Sequence, residues 1–116
     1  MSEIYSNILT GLTKLKGVKM TALGSRDGFL ISKSESDEAE TMTRMAAAMI
    51  RGAETAANKL DKVILNRVIV DFNDRQLIAA SAGPKAVISV IAASDASLDP
   101  IISELDRTIE MIRDII

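Results

Sequence analysis

The chain has 116 residues, 47% of them hydrophobic, which is enough for one core and leaves no room for a second domain. Its 14 basic and 16 acidic residues give a net charge of −2, a balance that favours neither nucleic acid nor an anionic membrane as partner. There is no Cys and no His, which excludes thiolate chemistry, disulfides, the usual zinc sites and the ordinary near-neutral base, so a non-enzymatic role is expected with no cofactor and no metal.

Met1 to Asn7 has no apolar signal-peptide core, and no run approaches the roughly 20 apolar residues of a membrane span, so a cytoplasmic chain is expected. From Ile4, the residues Ile8, Leu12 and Leu15 recur at helical spacing, with Leu9 widening the stripe. Lys16-Gly17 closes that helix, because Gly accepts the left-handed conformation that ends one. Val18, Met20 and Ala22 then alternate with Lys19 and Thr21, and a further apolar run, Phe29-Leu30-Ile31, follows Ser25-Arg26-Asp27-Gly28. This predicts a two-stranded hairpin with Asp27-Gly28 in its turn.

Ser36, followed by Asp37, Glu38 and Glu40, marks a helix start with negative charge in its first turn, and the helix is expected to run to about Leu60. On a helical wheel Ala39, Met42, Met45, Ala46, Met49, Ile50, Ala53, Ala56, Ala57 and Leu60 share one broad arc, with Arg44, Arg51, Thr55 and Asn58 opposite. Val63-Ile64-Leu65 and Val68-Ile69-Val70 flank Asn66-Arg67 in a strand-like segment that ends at the turn Phe72-Asn73-Asp74. Arg75 to Ala82 reads as the next strand, and Gly83-Pro84 breaks it. Ala86 to Ala93 is the most continuously apolar run and belongs in the middle of the sheet. Asp99 before Pro100 opens a last helix, with Leu98, Ile101, Leu105, Ile109, Ile112 and Ile116 on one face.

The order is helix, two strands, helix, three strands, helix, over residues 1–116 as a single domain. An α/β (α+β) sandwich follows, with one five-stranded antiparallel sheet and helices on both faces. Three local features have ordinary structural explanations. The acidic cluster Glu35, Asp37, Glu38 and Glu40 lacks the alternating ligands and central Gly of a calcium loop. Gly83-Pro84 has no second glycine and no Lys-Ser/Thr behind it, so it is a turn and not a phosphate loop. Arg26, Arg44 and Arg51 read as solvated charges on a turn and a helix, with arginine fingers for phosphoryl transfer the rival reading.

Gly24-Ser25-Arg26-Asp27-Gly28-Phe29-Leu30-Ile31, the Ala- and Met-rich helix after it, and Ala82-Gly83-Pro84-Lys85-Ala86-Val87-Ile88-Ser89-Val90-Ile91 together resemble the Roadblock / dynein light chain family, over nearly the whole chain. The resemblance implies a profilin-like sandwich whose third strand lies at the sheet edge, pairs antiparallel with its mate in a second subunit, and sets the two middle helices side by side. Mapped here, the dimer interface comprises Val63, Ile64, Leu65, Asn66, Arg67, Val68, Ile69 and Val70, with Ala46, Ala53 and Ala57 of the middle helix. A long apolar edge left exposed invites aggregation unless it is covered or paired, which agrees with such a partner. Met45 and Met49, nearer the margin of the arc, are the candidate partner-binding residues.

Family members are non-enzymatic adaptors, and a free-standing domain looks most like the prokaryotic kind that regulates a small Ras-like GTPase. The expected function is therefore a homodimeric GTPase regulator, with a structural scaffold lacking nucleotide-state preference as the alternative. A small-ligand sensor fits less well, since the interior segments offer mostly Val, Ile, Leu and Ala and few convergent polar groups.

Overall fold

The computed structural model describes residues 2–32 and 37–115. The elements in chain order are α1 (Ser2–Thr13), β1 (Val18–Ser25), α2 (Asp37–Asn58), β2 (Val68–Asp71), β3 (Arg75–Ser81), β4 (Ala86–Ala93) and α3 (Leu98–Ile115). The strands form one antiparallel sheet in the order β1-β4-β3-β2.

Helices cover both faces of the sheet. On one side α1 and α3 bring Leu9, Leu12, Ile101, Leu105 and Ile112 against Leu23, Ile78, Ile88 and Val90. Each such buried Leu or Ile side chain contributes about 1.5–3 kcal/mol of transfer free energy. On the other side α2 sets Ala46, Ala47 and Ile50 on Ala79 and Val87, and the two alanines let the helix backbone approach the strands closely. β4 lies between β1 and β3 and is buried along all but its last residue, as its unbroken apolar run requires.

Among the described residues the sheet has four strands where five were expected. Phe29-Leu30-Ile31 contributes only a single bridge, Gly24 to Leu30. The ladder stops there because Leu23 O accepts both the Ile31 and the Ser32 N–H, at 2.8 and 3.0 Å, while the Leu23 N–H donates to Ser32 Oγ at 3.1 Å. A side-chain oxygen thus replaces the backbone carbonyl that a second strand would have offered. The turn itself is as expected, with Gly28 at φ 95° and its N–H donating to Ser25 O.

The third predicted strand is also shorter than Val63 to Val70. Leu65 and Val68 both pack on the α2 side, and residues three apart cannot share a face of a regular strand. Arg67 reaches Asp106 of α3 at 3.3 Å, so regular pairing begins only at Val68. The middle helix ends at Asn58 and not at Leu60, because the Lys59 and Leu60 N–H groups turn back to Ala56 and Ala57 O and Lys62 takes φ 58°. Likewise α1 ends at Thr13, and the turn tightens through Leu15 N–H to Leu12 O before Gly17 at φ 90°.

One close approach fixes α2 on β1. A Cβ on Gly24 would lie 2.0 Å from Thr43 Cγ2 and 2.8 Å from Phe29 O, so only Gly fits. Thr43 is 1% exposed, and its hydroxyl donates to Ala39 O at 2.8 Å, which satisfies a polar group inside the core.

Candidate interaction surface

β2 is hydrogen-bonded to β3 on one side and has no strand on the other among the described residues. Its burial alternates, with Val68 and Val70 half-buried and Ile69 and Asp71 exposed. The segment leading into it is more open still: Val63 is 47% and Ile64 86% exposed, Asn66 is exposed, and Leu65 leans half-buried against the α2 side. An apolar strand edge with apolar flanks therefore faces solvent in the isolated chain.

The residues expected on the middle helix divide between two surfaces. Ala46 is fully buried against its own sheet, which removes it from the outer surface and corrects its assignment to an interface between copies. Ala53, Ala57 and Met49 are half-buried, and Met45 is 52% exposed. The inward stripe is Ala39, Thr43, Ala46, Ala47 and Ile50, so the buried face is turned towards Thr43 and Ala47, which the wheel omitted. Turned outward are Met45, Ala48, Gly52 and Ala56, where a solvated helix would carry charge.

Gly52 is the residue that sequence reasoning passed over. A glycine inside a helix costs about 0.5–1 kcal/mol relative to alanine. Here, among the described residues, nothing beyond the helix's own backbone lies within 4 Å of the position its Cβ would take, so no packing within them explains it. An isolated Gly in the middle of a long helical pattern was the signal available.

Arg26 has a structural task. Its guanidinium donates to Ser81 Oγ at 2.7 Å and pairs with Glu54, its backbone N–H donates to Lys85 O, and Arg51 donates to its carbonyl at 3.0 Å. The tip of β1, the second half of α2 and the β3–β4 turn are thereby tied together. Neither Arg26 nor Arg51 projects freely from this end of the molecule, while Arg44 is exposed on α2 beside Gly28.

Asp37, Glu38 and Glu40 sit in the first turn of α2, complementing its dipole; Glu35 lies outside the described residues. Among the described residues no three carboxylates converge as a metal site would need. Gly83, at φ 81°, turns the chain between β3 and β4, with Ala82 N–H donating to Ala86 O. The threonine hydroxyls of Thr10, Thr13, Thr43, Thr55 and Thr108 donate to helix carbonyls four residues back. Asp74 and Arg75 form a two-pronged pair at 2.9 and 3.1 Å on the β2–β3 turn. That hydrogen bonding holds the Asp74 carboxyl below its ordinary pKa and raises the Arg75 guanidinium. No helix among the described residues is long and apolar enough to cross a membrane.

The Roadblock/LC7 domain family model matches residues 5–92, from α1 through β4. This chain belongs to the Roadblock/LC7 domain family. No curated protein matches its sequence, but solved structures do match its fold. A Roadblock/LC7 domain from Streptomyces avermitilis superposes with a TM-score of 0.85 at 19% identity, covering 99% of this chain and 96% of that one. The gliding protein MglB from Thermus thermophilus gives 0.85 at 17% identity, with 98% and 89% covered. LokiProfilin1, solved in complex with rabbit actin, gives 0.59 at 13%, with 100% and 98% covered, which places the Roadblock/LC7 chain among profilin-like sandwiches.

Proposed function

We propose that this Roadblock/LC7 chain is a non-catalytic adaptor that works as a homodimer and regulates a small Ras-like GTPase. The observation that carries the reading is the outer surface of α2, where Met45, Ala48, Gly52 and Ala56 stand in place of charge and Gly52 has no internal reason to be Gly. Small residues let a second helix approach closely, and exposed Met offers an adaptable contact. Family membership and the MglB structures among the neighbours support a regulatory over a catalytic role.

In this reading β2 pairs with its mate in a second copy through Val68, Ile69 and Val70, flanked by Val63 to Arg67. Gly52 and Ala56, with Ala53 and Ala57 beside them, face the neighbouring α2, and Met45 and Met49, at the margin of that contact, reach the GTPase across the joined helices. Regulation requires different affinities for the two nucleotide states, because a partner that holds both equally shifts nothing. The test immobilises the full chain and compares retention of small GTPases from the same cell, loaded with GDP or with a non-hydrolysable GTP analogue. A preference of at least about tenfold, worth 1.4 kcal/mol, is the expected result. Equal retention of both forms replaces regulation with the scaffold role.

A further inference from the structure

Among the described residues no element covers the sheet beside the first half of α2, and a cleft of about 860 Å³ opens there. Its apolar surface comes from Met20 of β1, Met42 of α2, Ile91 of β4 and Phe72 at the end of β2. Asp37 and Glu38 line it from the start of α2, Lys19 lines it from β1, and Asp74 and Arg75 neutralise each other on the turn beside it. Phe72 is 47% exposed although it lines an apolar cleft.

Elsewhere among the described residues an apolar segment is exposed. Leu60 is 62%, Val63 47% and Ile64 86% exposed, and Ile64 is the most exposed large hydrophobic residue among those described. Within one copy this segment cannot reach the cleft, because Val63 and Ile64 precede β2 and Phe72 follows it. We infer that the cleft receives Val63 and Ile64 of a second copy of the chain. The inference rests on the proposed antiparallel pairing of β2 with its mate.

Topology supplies the first argument. When a strand pairs antiparallel with its own copy about a two-fold axis, the chain entering the strand in one copy runs beside the chain leaving it in the other. The segment before Val68 in one copy is thereby brought to Phe72-Asn73-Asp74 of the other, which is the wall of the cleft. Two-fold symmetry makes the contact twice. Chemistry agrees, since Ile and Val present branched apolar groups and Met20 and Met42 are flexible enough to close around them.

Charge supplies the second argument. The first turn of α2 carries Asp37, Glu38 and Glu40, while Lys59, Asp61 and Lys62 follow its last turn and leave that end net positive. Two α2 helices related by the two-fold run antiparallel, so the lysines accompanying Val63 and Ile64 of one copy meet the acidic start of α2 at the other's cleft. Exposed pairs of this kind contribute little energy but select orientation.

The chain has no cysteine, so thiols can be introduced as clean proximity probes. The full chain is prepared as Ile64→Cys, as Asn73→Cys and as the double variant, both positions being exposed. Sedimentation velocity establishes whether each variant dimerises, and a short bifunctional maleimide then reads which thiols are adjacent. The expected result is a covalent dimer from the double variant and almost none from either single variant, whose two thiols lie at opposite ends of the paired strands. A chain that sediments as a dimer but does not cross-link in the double variant overturns the inference and leaves the dimer standing. A wild-type chain that sediments as a monomer overturns both. As a second readout, Ile64→Ala weakens dimerisation at least tenfold, while Ile4→Ala, an exposed residue of α1, leaves it unchanged.

Discussion

Replacing Gly52 separates what the helix needs from what its surface is for. In the chain taken alone, the new Cβ of Gly52→Leu meets no atom within 4 Å among the described residues beyond the helix's own backbone, and the substitution removes the entropic cost of a helical glycine. It should therefore raise the stability of the folded monomer by about 0.5–1 kcal/mol. If a second α2 packs on this stripe, the same side chain is driven into a close helix contact from both copies at once. Overpacking costs about 1–3 kcal/mol per site, so two insertions cost about 2–6 kcal/mol. At 1.4 kcal/mol per factor of ten, the dimer dissociation constant rises about 30-fold or more. Urea unfolding at high dilution reads the first effect, and a light-scattering dilution series reads the second. A dimer that tolerates Gly52→Leu with an unchanged or tighter dissociation constant would refute the assignment of this stripe to helix contact.

Two further predictions test the fold and the β2–β3 turn. Gly24→Ala places a methyl against Thr43 Cγ2 and Phe29 O, and should destabilise the chain by about 1–3 kcal/mol in urea unfolding, with Thr43→Ser in the same chain restoring part of the loss. Additive losses would show that the two side chains do not meet. Asp74 should titrate below an ordinary carboxylate in side-chain NMR, and Arg75→Gln should return its midpoint upward. Because the folded value is the lower one, the contribution of this exposed pair is present above the unfolded pKa and disappears as pH falls through the folded one.

Much of the architecture was legible where pattern and burial coincide. The unbroken run Ala86 to Ala93 belongs to the strand covered on both faces, and Asp99-Pro100 opens α3 within a residue of its observed start. The departures come from contacts that no periodicity records. Ser32 Oγ satisfies the Leu23 N–H and ends the first hairpin after one bridge, although Phe29-Leu30-Ile31 has strand composition. The Arg67 pair with Asp106 and the packing of Leu65 shorten the edge strand by bringing distant elements to bear on it.

The candidate surface was legible to the same extent. Ile69 on the open edge and Met45 on α2 are exposed, and Ala46 is buried because Thr43, with its hydroxyl satisfied by Ala39 O, turns the buried stripe towards itself. Gly52 and the cleft beside Met42 became visible only with the helix in place. The first is an absence of neighbours and the second joins four elements distant in sequence.

The central claim is that the β2 edge joins two copies of this chain, and the molar mass in solution tests it most directly. Light scattering at micromolar concentration should give twice the 12.5 kDa of one chain. The Ile64→Lys, Ile69→Lys double variant should give the single-chain value with its circular dichroism unchanged. A wild-type chain that scatters as a monomer, or a double variant that remains a dimer, would contradict the account.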